Sequence, residues 1–118
     1  MQRKSLSPFR PPSADDPIVA EIVLRLVDAY HPDRIYLFGS VARGDAGPNS
    51  DYDLMVVLND DAPPPLRSED PGYRALWGTR AAADVLVWVR SDFEKQLHLK
   101  ASFPSTIVRE GRLLYEAA

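Results

Sequence analysis

Three groups of residues in this sequence are of the right type and spacing to do chemistry. The first is Gly39-Ser40, which directly follows a β-prone run. A glycine there lets the backbone approach a ligand closely. If Ser40 opens a helical turn, its amide and hydroxyl stand at a helix N-terminus. Free N–H groups and the positive end of the dipole then suit a phosphate. An ordinary strand-to-helix turn would use the same two residues. The second group is Asp51-Tyr52-Asp53. In a strand, a period of two puts both carboxylates on one face, about 7 Å apart at Cα. Two unpaired carboxylates facing a core would be very costly. Around a divalent cation they become hard oxygen ligands, suited to Mg²⁺ or Mn²⁺. A strand that begins in solvent would also tolerate them. The third is Asp84, a charge inside the apolar run Ala-Ala-Asp-Val-Leu-Val-Trp. It breaks the strand pattern. It completes a carboxylate triad if its strand neighbours that of Asp51, and otherwise marks an edge or the partner of an Arg.

The elements that would position these groups are legible around them. Asp16-Pro17 is an N-cap followed by proline at the first helical position. Ile18, Ile22, Val23, Leu26, Val27 and Tyr30 follow at helical spacing, and Pro32 ends the run. Residues 34–38 read as a short buried strand. Residues 51–58 read as the next, with Tyr52, Leu54, Val56 and Leu58 on one face and Asp51, Asp53, Met55 and Val57 on the other. Asp70-Pro71 repeats the cap-plus-proline signature, so a helix is expected from Pro71 to about Thr79 with Tyr73, Leu76 and Trp77 facing the core. Residues 83–89 form a third strand with Asp84, Leu86 and Trp88 on one face. Ser91-Asp92-Phe93-Glu94 has the capping-box pattern. A short helix over 105–110 closes at Gly111, and residues 112–115 form a last strand. Alternating helices and strands indicate an α/β or α+β class built on one small sheet.

With 118 residues, the chain has room for one domain. Residues 1–14 are polar, basic and Pro-containing and read as a flexible tail, leaving 15–118 as the domain. The formal charge is −3 and the pI about 5.3. That balance argues against direct nucleic-acid binding, which needs a basic face. Cysteine is absent, which removes disulfides, thiol catalysis and Cys-ligated zinc. His31 and His98 are far apart in sequence, and His98 and Lys100 read as solvated on a short helix. No apolar run is long enough to span a membrane, and residues 1–10 lack a secretory h-region, so the expected location is the cytoplasm.

The combination is far rarer than its parts. The run Leu37-Phe38-Gly39-Ser40-Val41-Ala42-Arg43-Gly44-Asp45, followed by Asn49-Ser50-Asp51-Tyr52-Asp53-Leu54, resembles the minimal nucleotidyltransferases of the DNA polymerase β-like superfamily. Its spacing matches their GS-x10-D-x-D signature. The ending is similar to that of stand-alone members: Ser102-Phe103-Pro104, Val108-Arg109-Glu110-Gly111-Arg112, then Leu114-Tyr115. The resemblance spans residues 18–116. In the family a third carboxylate follows a variable insert. Asp84 is the leading choice, with Glu69, Asp70 and Asp92 as alternatives.

The resemblance implies a polymerase β-like fold, a small mixed sheet flanked by helices. It implies transfer of a nucleoside monophosphate from an NTP, AMP from ATP foremost, to a hydroxyl with release of pyrophosphate. Asp51 and Asp53 would bind two Mg²⁺ ions. Asp84 would share the metal that activates the attacking hydroxyl and could accept its proton. Gly39 and Ser40 would hold the β- and γ-phosphates, and Arg43 would add charge beside them. Tyr36 and Phe38 read as core residues. Stand-alone members of this kind pair with a small helical HEPN toxin, act as its antitoxin and can adenylylate one of its tyrosines. The alternatives are a non-catalytic subunit that neutralises a HEPN toxin by contact, and a small-molecule nucleotidyltransferase, for which self-association would have to supply the acceptor pocket.

Overall fold

The computed structural model describes residues 16–47, 51–79 and 81–118. The proposed tail, and Asn49 and Ser50 of the central motif, lie outside them. The order is α1 (Pro17–Tyr30), β1 (Arg34–Phe38), α2 (Gly39–Arg43), β2 (Tyr52–Leu58), α3 (Asp70–Ala75), β3 (Ala83–Val89), α4 (Arg90–Glu94), α5 (Phe103–Glu110) and β4 (Arg112–Glu116). The four strands form one mixed sheet in the order β3-β2-β1-β4. β1 is antiparallel to both β2 and β4, and β2 is parallel to β3. This is the expected α+β class.

Strand alternation divides the core between the two sheet faces. Leu54, Val56, Leu58, Ile35, Leu37 and Val85 meet α1 on one face. Tyr36, Met55 and Val57 meet Phe93 of α4 and Ile107 of α5 on the other. Both faces are covered, which explains why β2 is buried continuously from Leu54 to Leu58. The first helix starts as expected: the Asp16 carboxylate accepts the Ile18 N–H at 2.9 Å. It ends at His31, which adopts a left-handed conformation before Pro32. Its buried face is Val19, Ile22, Leu26 and Tyr30, so the stripe is rotated from the expected one and leaves Ile18 exposed. Tyr30 ties α1 to α3. Its O–H donates to the Ser68 carbonyl and its oxygen accepts the Gly72 N–H, both at 2.8 Å. Burial pushes its pKa up to about 12.

Several local expectations are corrected. Asp70 does not cap α3; it lies inside the first turn and pairs with Arg74. That helix stops at Ala75, and the chain then turns, with the Thr79 N–H donating to the Leu76 carbonyl. Only Leu76 of the expected trio is buried. Tyr73 is half exposed and Trp77 is 85% exposed, because the turn swings the indole off the helical face. Ser91 does not cap α4, which begins at Arg90. Instead the Asp60 carboxylate, from the loop after β2, accepts the Ser91 N–H. The helix over 105–110 starts earlier, at Phe103, capped by the Ser102 hydroxyl. His98 and Lys100 are exposed as expected, but they lie in turns rather than on a helix.

Two further arrangements matter below. At the end of the sheet where β1 starts, Arg34 and Arg90 sit among Asp33, Glu94 and Glu116 in a connected ion-pair network. Along β3, at the sheet's edge, two N–H groups are taken by side chains: that of Val85 by the Tyr73 hydroxyl and that of Val87 by the Glu69 carboxylate, each at 3.3 Å.

Candidate active site

The opposite end of the sheet gathers the residues singled out by type and spacing. β1 ends at Phe38, and the next residue, Gly39, turns the chain straight into α2 with φ +77°. That left-handed conformation favours glycine. Space demands it as well: a Cβ at Gly39 would collide with the Asp53 carboxylate. Two motif residues fourteen positions apart are therefore in van der Waals contact, and the close approach needs a residue without a side chain. Ser40 follows in the first turn of α2, where backbone N–H groups lack intrahelical partners.

Register places the carboxylates. Phe38 lies opposite Asp53 in the antiparallel pair, and Asp53 lies opposite Asp84 in the parallel pair. Phe38, Asp53 and Asp84 thus form one row across three strands, on the face that carries Tyr36, Met55 and Leu86. Asp51 precedes β2 and is exposed; Asp84 is exposed, and Asp53 is half-buried. Burial raises the pKa of Asp53, and the negative charges of Asp84 and Asp51 raise it further; Arg43 acts in the opposite sense. The alternative third carboxylates are engaged elsewhere. Glu69 takes the Val87 N–H, Asp70 pairs with Arg74, and Asp92 pairs with Lys95.

Arg43 ends α2 and is held at 3.0 Å by Asp45, a residue of the same motif run that pattern reading left without a role. The i, i+2 spacing of an Arg and an Asp around Gly44 was the available signal. Phe103, read in the sequence only as part of the ending shared with stand-alone members, is given no place near the site there. Its ring packs edge-on against Phe38 and tilted against Trp88, and it is 40% exposed on the side of the sheet that carries Asp53. Phe38 and Tyr36 are packed on that face, as expected of core aromatics.

The donor chemistry fits a divalent cation. Three carboxylates at one sheet end are hard ligands, and burial, with repulsion from Asp84 and Asp51 added, makes Asp53 reluctant to ionise. Among the described residues no three His, Cys, Asp or Glu side chains are drawn close enough to enclose an ion as they stand.

A strand-turn-helix glycine packed on one of several carboxylates stands at the end of the mixed sheet of this α+β domain. Comparison with known proteins gives this class its family. Residues 18–114 match the model of the nucleotidyltransferase domain, and the chain belongs to that family. Domains of this family generally use an NTP and a divalent metal. No curated protein matches the chain. Two solved structures are similar. One is a nucleotidyltransferase candidate from Sulfolobus solfataricus, at 21% identity and TM-score 0.57, over 85% of this chain and 78% of that one. The other is a toxin–antitoxin with AMP-PNP, at 24% identity and TM-score 0.56, over 83% of this chain and 73% of that one. Both likenesses are of fold. Among the described residues no helix is long and apolar enough to cross a membrane.

Proposed function

We propose that this chain transfers AMP from ATP to a hydroxyl of a protein partner, a tyrosine of a HEPN toxin, and thereby acts as a cytoplasmic antitoxin. The observation that carries the chemistry is the row Asp53–Asp84 in register, with Asp53 packed on Gly39. The toxin–antitoxin among the similar structures supports the partner.

On this reading Gly39 and Ser40 bind the β- and γ-phosphates through backbone N–H groups, and Arg43, steadied by Asp45, adds positive charge. The acceptor oxygen attacks the α-phosphorus. The bond from that phosphorus to the bridging oxygen of the β-phosphate breaks, and pyrophosphate leaves in line. Asp84 accepts the proton of the attacking hydroxyl. Asp51, Asp53 and Asp84 would hold two Mg²⁺ ions, which when bound neutralise the triphosphate and stabilise the attacking and leaving oxygens.

The test is transfer from labelled ATP with Mg²⁺, using the chain alone and then with the protein encoded beside it. Label on that protein, lost in Asp53→Asn, is the expected result. A tight complex with no transfer would replace it with neutralisation by contact. Label appearing only on small hydroxyl compounds would favour the small-molecule enzyme.

A further inference from the structure

On the sheet face that carries Asp53 and Asp84, the apolar surface is not fully covered. Phe103 is exposed, and Phe38, Leu86 and Trp88 are half-buried. The Phe103 ring meets Phe38 edge-on, with centroids 5.4 Å apart, and Trp88 tilted, at 6.2 Å. Phe38 belongs to β1 and Trp88 to β3, so a ring that touches both lies across β2, the strand of Asp53. On that face the residue after Asp53 is Met55, about 7 Å further along β2 and fully buried. The same step on β3 leads from Asp84 to Leu86. An aromatic shelf thus begins where the row of carboxylates ends. Its backbone is fixed. The Ser102 hydroxyl accepts the Ser105 N–H at 3.2 Å and donates to the Gln96 carbonyl at 2.8 Å, and Pro104 is buried.

A lone exposed phenylalanine needs no explanation. This one draws its meaning from its place beside the proposed reaction axis. Gly39 and Ser40 stand on the β1 side of Asp53, and Asp84 stands on the β3 side. With the β- and γ-phosphates on the first and the attacking hydroxyl at the second, the line from leaving to attacking oxygen follows the row Phe38–Asp53–Asp84. Displacement at the α-phosphorus is in line, so its other substituents stand across that line. The ribose is one of them. It departs either into solvent or down the sheet face, and down the face it carries the base onto Phe103 and Leu86. The triphosphate lies toward α2 and the acceptor comes from beyond Asp84, so the base has this shelf to itself. Every nucleobase has a π-face that stacks on an aromatic ring.

We propose that Phe103 is the platform on which the base of the nucleotide substrate stacks, and so a positioning residue for the α-phosphate. The proposal takes its reaction axis from the transfer reading, and its test has a binding arm that needs no transfer. The probes are an unreactive ATP analogue and inorganic triphosphate, each with Mg²⁺, titrated by calorimetry into wild type, Phe103→Leu and Phe103→Tyr. Both variants keep a bulky side chain against Phe38 and Trp88, and only the leucine lacks a ring. Phe103→Leu should bind the ATP analogue about tenfold more weakly. Phe103→Tyr should bind it close to wild type, and inorganic triphosphate should bind all three chains alike. In steady-state labelling Phe103→Leu should raise KM for ATP to match, with kcat little changed, as expected when ground state and transition state lose the same contact. Undiminished binding of the ATP analogue by Phe103→Leu overturns the proposal. So does an equal loss of triphosphate binding, which would place the damage in the phosphate site or the fold, and so does a wild-type chain that binds the analogue no better than triphosphate. Phe103-dependent binding without transfer to any acceptor would sink the transfer reading and keep the platform. Transfer with an unaltered KM for ATP in Phe103→Leu would do the reverse.

Discussion

The two ends of one small sheet use charge in opposite ways. Where β1 begins, two arginines and three carboxylates form a connected network, with Arg34 reaching Glu94 at 3.3 Å and Arg90 reaching Glu94 at 3.1 Å. Where β1 ends, Asp51 and Asp84 act on Asp53 with like charge, and Arg43, the cation that opposes them, is bound to Asp45. Charges that serve the fold find partners within it. The carboxylates at the far end lack such partners, and burial together with their repulsion makes Asp53 keep its proton more tightly. A protein tolerates that cost where a ligand is to supply the missing positive charge.

The strongest way to break this contrast is Asp53→Asn. It should cut nucleotidyl transfer by about 10²–10³-fold or more, the scale of losing a group that stabilises a transition state. The same change should raise Tm at pH 7, because it removes a half-buried charge and its repulsion; a lower Tm in scanning calorimetry would mean that the carboxylate supports the fold after all. Next is Gly39→Ala. A side chain there meets both a left-handed backbone and the Asp53 carboxylate. Transfer should fall to near background and Tm should drop, where Gly44→Ala, with open space around its Cβ position, should disturb only the backbone.

At the paired end the expectation inverts. Arg34→Ala leaves Asp33, Glu94 and Glu116 short of a cation and should cost about 1–3 kcal/mol in denaturant melts. Transfer at 25 °C should stay within about twofold of wild type. A large loss of transfer would show that the two ends are coupled. The smallest effect is in pH. A carboxyl whose pKa is raised on folding binds its proton more tightly in the folded chain. Its contribution to stability therefore falls as pH rises from the ordinary value of 3.8 through the folded value. The Tm advantage of Asp53→Asn should be present at pH 7, shrink as pH is lowered through that window and vanish below it. Adding Mg²⁺ with an unreactive ATP analogue should raise the Tm of wild type more than that of the variant.

Much of this end could be read in advance because its signals are local. A period of two put Asp51 and Asp53 together, and Asp84 betrayed itself as a charge in an apolar strand. The first helix announced its cap at Asp16. What stayed hidden depended on distant parts of the chain. Asp60 rather than Ser91 serves the start of α4, a choice made by a loop thirty-one residues away. Trp77 has the composition of a core residue, and only the early stop of α3 turns it outward. The pairing of Asp53 with Asp84 required a parallel register that no local pattern encodes.

Edge strand β3 carries Asp84 on one face while Tyr73 and Glu69 occupy the outward N–H groups of Val85 and Val87. An open strand edge is a template on which other chains anneal. With those donors engaged, a foreign strand meets acceptors where it needs hydrogen. The rim that bears Asp84 can thus stand open without inviting self-templated aggregation.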